Sequence, residues 1–407
     1  MRRRATTSSR RHFASHQVGA LDSDSLVATP LTQPSVLLLP LLNFLACLGS
    51  LSRTDYKRIL LHLPPACSLR GTLHSKLAAV IDGSEPTMLP SVARIRNASQ
   101  LTDAMAATAQ HTAPRLTRTL AGHSKSVRCV AVCSGGERVV SGSDDGTARV
   151  WNAATGQVLR TFTKHSAGVL SIALFSDDAR VVSGGSSGDS TVRMWNLDSG
   201  SELQIFRGHS SAVFGLAISP DQATFASASF DKAIRIWNVH SGQCDAALTG
   251  HSSNLWCVAF SEDGQVLASG GEDSTITLWD VRSSSPLRTI TGHASVIRGV
   301  AFHGDRLVSC SYDESIKVWK WQSGKLESTL AGHTDKMTCV AVFPDGERLA
   351  SGSWDTTIRI WNVRSEKKCE HTLTGSTNWV SCVAVSRDGR TLVSGCFDNA
   401  VKVWTMR

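Results

Sequence analysis

A histidine, a serine and an aspartate recur together along this 407-residue chain, and that trio is the equipment of a hydrolase. In the sixth copy they are His333, Ser351 or Ser353 (the two share a face by strand alternation) and Asp355, with Trp361 closing the phrase. A histidine held between a carboxylate and a hydroxyl can take the serine's proton and make it a nucleophile. That chemistry needs one site. Here the histidines come round as His123, His165, His209, His251, His293 and His333, and the aspartates as Asp145, Asp189, Asp231, Asp273, Asp313, Asp355 and Asp398. The tryptophans are Trp151, Trp195, Trp237, Trp279, Trp319, Trp361 and Trp404. A set that recurs around the whole repeat region is a property of the unit. It reads as architecture, so no catalytic residue is assigned. The sequence shows no single-copy acid/base pair, metal set or phosphate loop, and no metal or cofactor is expected.

The elements that position these residues can be read from one copy. Leu349–Asn362 runs LASGSWDTTIRIWN: a short apolar strand ending in small residues, a turn with Asp355 and Thr357, then Ile358, Arg359, Ile360 and Trp361 in alternation. Gaps between successive closing tryptophans are 44, 42, 42, 40, 42 and 43 residues. Each unit opens on Gly-His or a variant of it, as at Gly122-His123, and continues in an alternating strand such as Val127–Val132. Asp263-Gly264, Asp345-Gly346 and Asp388-Gly389 then supply hairpin turns. A period near forty with several strands per unit predicts a propeller rather than a helical solenoid.

The Gly-His, the Ser-Gly-Ser, the aspartate six residues before tryptophan and the Trp-Asn or Trp-Asp ending resemble the WD40-repeat family over Arg115–Arg407. The resemblance implies an all-β, seven-bladed β-propeller of four-stranded blades. It also implies that the polar set is a buried chain of hydrogen bonds from Asp through His and Ser to the indole N–H. Residues 115–120 form an orphan strand that would complete the last blade and close the ring, so their loss should cost more than loss of 1–110. Departures mark weaker blades. Ser376 stands for His in unit seven, Lys164 for Gly in unit two, unit two has two extra residues in Gly184–Gly188, and unit five has the abrupt His303-Gly304.

Subtracting the repeat tryptophans leaves Trp256, Trp321, Trp354 and Trp379. Family geometry places three columns on one rim around the central channel. The residue before the turn aspartate reads Asp144, Gly188, Phe230, Glu272, Tyr312, Trp354 and Phe397. Five after the histidine come Arg128, Leu170, Phe214, Trp256, Arg298, Thr338 and Ser381; three after it, Lys336 and Trp379 stand out. Arg128, Phe214, Phe230, Trp256, Arg298, Tyr312, Lys336, Trp354, Trp379 and Phe397 are therefore the expected partner-binding residues, since exposed aromatics and arginines anchor interfaces. Charges of both signs there favour a peptide or protein ligand over nucleic acid. The expected role is a non-enzymatic interaction scaffold. A substrate-receptor subunit of a ubiquitin ligase, or a component of an RNA-processing complex, is the alternative.

Net charge is +8, but residues 1–114 hold 12 Lys+Arg against 6 Asp+Glu, so the repeats are nearly balanced. That argues against a nucleic-acid-binding face. Residues 1–22 carry five arginines and no acid before Asp22, which suits a poorly ordered basic leader or an organellar import signal. The apolar run at 36–51 is interrupted by Pro40 and Asn43 and is short for a membrane helix; docking or disorder is expected over insertion. Cys129, Cys257, Cys339 and Cys382 share one column with Ser171, Gly215 and Gly299, which predicts small buried side chains. No CxxC pair occurs, and the cysteine usage suits a reducing, cytoplasmic setting.

Overall fold

Every unit folds its alternating segments into antiparallel strands, and the amount of space at each radius decides their composition. Inner strands such as Val127–Val132 crowd around the axis. A Cβ on Gly142, in the second strand, would stand 2.6 Å from Cys129 Sγ and 2.7 Å from Val169 Cγ1 of the next unit. Only small residues fit there. Second strands such as Arg138–Ser143 are buried almost throughout, whereas outer strands such as Arg115–Ala121 bury one residue, Leu120. The computed structural model describes residues 113–364 and 368–406. They form seven four-stranded sheets, a seven-bladed propeller. The expectations for the leader, including the apolar run 36–51 and the import signal, lie outside the described residues.

Six sheets are built from consecutive strands. The seventh joins Val380–Val385, Thr391–Cys396 and Ala400–Thr405 to Arg115–Ala121 from the other end of the repeat region. Arg115 pairs with Thr405 and Ala121 with Ala400. Hydrophobic cores lie between blades. Val140, Val150 and Phe162 pack on Val169, Val181 and Trp195 of the following blade, and Val127 and Trp151 pack on Val393 and Val403 across the closure. Ser381 Oγ donates to Val127 O at 2.5 Å over the same seam. The ring is therefore continuous, with no blade left an unpaired edge at the junction.

One irregularity repeats in all seven blades. The inner strand slips by one residue against the second, at Arg128, Leu170, Phe214, Trp256, Arg298, Thr338 and Ser381. A bulge leaves its extra residue outside the ladder and re-aims its side chain. Unit five turns its first hairpin in two residues: Gly304, at φ 55°, and Asp305 follow the longer inner strand Ile297–His303.

Candidate functional site

The repeated polar set and the channel mouth are built from neighbouring columns and have opposite chemistry. In blade six, Trp361 Nε1 donates to Ser351 Oγ at 2.7 Å, Ser351 Oγ lies 2.8 Å from His333 Nε2, and His333 Nδ1 lies 2.7 Å from Asp355 Oδ2. A carboxylate only accepts, so Nδ1 carries the proton and Nε2 accepts the serine hydroxyl. Ser353 has other duties: it donates to Asp335 O at 2.9 Å and accepts the Asp355 N–H. The same arrangement holds in blades one, three, four and five, around His123, His209, His251 and His293. Ser141, Ser227, Ser269, Ser309 and Ser351 are each 0% exposed, and each Oγ already takes an indole N–H. No substrate can reach them. Burial alone would raise the aspartates, but their hydrogen bonds outweigh it. Thr147 and His123 bring Asp145 down to about 2, as His209 does for Asp231 and His251 for Asp273.

Blades two and seven depart from this arrangement. His165 Nε2 keeps Ser183 at 2.7 Å, and its Nδ1 lies 3.2 Å from Asp189 Oδ1 but outside hydrogen-bond alignment. Lys164 reaches Glu202 at 3.2 Å. In blade seven, where Ser376 stands for histidine, the chain from aspartate to serine is interrupted as expected, but Asp398 has gained another partner. Lys402, 2% exposed, donates to Asp398 at 2.5 Å, while Trp404 still donates to Ser394 at 3.2 Å. Burial works to raise the Asp398 carboxyl, and the Lys402 hydrogen bond leads the opposing interactions that bring it below its ordinary range. The sequence carried a signal for this: an aspartate that lost its histidine needs another donor, and Lys402 lies four residues on.

At the mouth, the ten expected binding residues are brought together in one arc. Phe214 stacks on Phe230 at 4.3 Å, and both rings meet Trp256, at 4.2 and 4.6 Å. Arg298 lies 3.6 Å over Trp256 and 5.5 Å from Tyr312. Lys336 sits between Tyr312 and Trp354, at 5.3 and 4.5 Å. Trp354 stacks on Trp379 at 4.1 Å and 8°, Trp379 meets Phe397, and Arg128 covers Phe397 at 5.0 Å. Rings and cations alternate in this way from blade three to blade one. Blade two offers Gly168, Leu170 and Gly188 and leaves a low side.

The rings are not turned fully outward, as the sequence suggested. Only Trp379 is exposed, at 38%; the others are half-buried because they pack on one another. Beneath them lies a cavity of about 470 Å³, lined by all seven bulge residues. Sequence reasoning found this column but not the bulge that aims it, nor the lining roles of Leu170, Thr338 and Ser381. Trp321 is elsewhere, packed on Phe302 at 5.8 Å with its N–H on Gly304 O. Of the column cysteines, Cys129 and Cys257 are buried and Cys339 and Cys382 are half-buried. Burial pushes their thiols up, to about 12 for Cys257 and Cys382 and about 11 for Cys339. Among the described residues, no group of three or more His, Cys, Asp or Glu could hold a metal ion, and no helix is long and apolar enough to cross a membrane.

Comparison with known proteins agrees with this geometry. The family model described as "WD domain, G-beta repeat" matches seven times, at residues 114–152, 156–196, 200–238, 242–280, 284–320, 324–362 and 367–405. A stretch of 38 residues is 53% identical to a ribosome biogenesis protein, BOP1, of Rattus norvegicus, covering 9% of this chain and 5% of that protein. A stretch of 34 residues is 59% identical to the Homo sapiens BOP1, covering 8% and 5%. The chain thus spans about a twentieth of the length of these curated relatives, and the matched stretch is no longer than one repeat.

Proposed function

We propose, from the premise that this chain belongs to the WD40-repeat family, that it is a non-catalytic scaffold whose channel mouth holds a peptide segment of a partner protein. WD40 propellers are generally protein-interaction scaffolds, but a fold does not choose the ligand. The observation that carries the reading is the continuous arc from Phe214 to Arg128, in which aromatic faces alternate with cations over a cavity. Such an arc presents flat apolar area at little entropic cost, because the rings already hold one another in place. The likeness to a ribosome biogenesis protein has the length of one repeat and carries no role to this chain.

Affinity capture with the wild type and with a Trp354→Ala/Trp379→Ala/Phe397→Ala variant tests the reading. Partners should be lost from the variant while its circular dichroism and melting temperature stay close to the wild type. An identical catch from both would remove the mouth as the binding surface.

A further inference from the structure

The mouth contains a charge without a counter-ion. Arg298 projects from its bulge into the cavity, and its Nε and Nη1 are sealed with no hydrogen-bond partner. Its contacts are the faces of Trp256 at 3.6 Å and Tyr312 at 5.5 Å. Trp256 Nε1, in the same lining, is also buried and unpartnered. Two stacked side chains thus bring three buried N–H-bearing nitrogens and no acceptor. Buried donors without acceptors are costly, and a buried unpaired charge more so. Burial also draws the guanidinium's pKa down, the mark of a cation short of solvation.

The acids nearby do not fill the role. Asp144 faces Arg128 at 3.8 Å, and Glu272 accepts Ser253 Oγ at 3.1 Å. The thiols around the cavity are held neutral by their raised pKa values. Lys336, and then Arg128, add positive charge further along the arc beyond Arg298. Geometry and charge ask for one anionic acceptor at the centre of the mouth.

We infer that the peptide held at the mouth inserts an aspartate or glutamate side chain into the channel, its carboxylate paired with Arg298 and bonded to Trp256 Nε1. A planar carboxylate matches the guanidinium fork, and its single charge matches the one buried cation there whose donors lack acceptors. A phosphoryl group, with nearly two charges, would need a second cation inside the channel; Arg128 already faces Asp144, and Lys336 is held over the rings of Tyr312 and Trp354. The inference rests on the mouth reading above and specifies its ligand.

Selection of displayed random dodecapeptides on the immobilised full-length chain tests it. The retained peptides should be enriched in Asp or Glu at one position. Changing that residue to Gln or Asn should weaken binding about ten- to a hundredfold. Arg298→Met should do the same and erase the acid preference. Arg298→Lys keeps the charge but not the fork; it should fall between, and it guards against misfolding of the Met variant. Peptides lost with the Trp354/Trp379/Phe397 triple variant but indifferent to both Arg298 variants would overturn the carboxylate and leave the mouth reading standing. Peptides indifferent to the triple variant as well would overturn both. A phosphoserine replacing the acid and binding tenfold tighter would overturn the carboxylate assignment alone.

Discussion

The histidine layer and the channel mouth differ in how completely their polar groups are satisfied. In the layer, Ser351 and His333 have every hydrogen-bonding atom engaged at 2.7–2.8 Å, and four other blades repeat the pattern. At the mouth, Arg298 and Trp256 keep buried donors idle, and no two blades present the same residues. A satisfied network rigidifies its surroundings and has nothing left to offer a ligand. An unsatisfied one is stable only because the ring around it is rigid. The first makes the second possible.

Three substitutions and one titration sharpen or break that contrast, the substitutions taken from the largest effect on stability to the smallest. Lys402→Met removes the ammonium facing Asp398 in blade seven and strands a carboxylate that is only partly exposed. It should cost about 3 kcal/mol in urea unfolding, the low end for breaking such a pair, because Thr377 still donates to Asp398. An unchanged midpoint would mean that blade seven closes without this ion pair. His333→Ala should cost about 1–3 kcal/mol by leaving the Ser351 hydroxyl proton without an acceptor and Asp355 short of one donor, with no change in peptide binding.

Acid comes next. Asp145, Asp231 and Asp273 titrate at about 2 in the folded ring and near 4 when unfolded. Between those values the unfolded chain holds more protons, so their contribution is complete above about pH 4 and is lost as pH falls towards 2. Urea midpoints measured over that window should drop. They should drop less steeply when the three aspartates are replaced by asparagine. Trp379→Ala should be mildest for stability, about 0.5–1 kcal/mol from the lost stack on Trp354, yet weaken ligand binding by about 2 kcal/mol or more. The reverse ranking, a fragile ring with binding intact, would place Trp379 in the core.

The ring was legible because each unit repeats its alternation and its Asp, His and Trp in phase. Periodicity showed which columns recur, and subtracting them exposed the mouth residues. What escaped is backbone and context. The bulge at Arg128, Leu170 and their counterparts follows from pairing with a second strand, and a one-residue slip leaves no period in the sequence. Ser351 and Ser353 share a face and are both buried, so alternation alone could not choose between them. Lys402 occupies a column that holds Arg149, Arg235 and Arg359 elsewhere; only the missing histidine lets it turn inward.

The pairing of Arg115–Ala121 with Ala400–Thr405 also sets a timetable for synthesis on the ribosome. Thr117 donates to Val403 O across 286 positions of sequence, so the earliest strand waits for the latest before the circle can shut. A segment idle for so long invites aggregation. Its make-up suits the wait: Arg115, Arg118 and two threonines keep it wettable, and only Leu120 must later be hidden. Docking of the first repeat-region strand on the last, not hairpin formation, is therefore the event that shuts the ring.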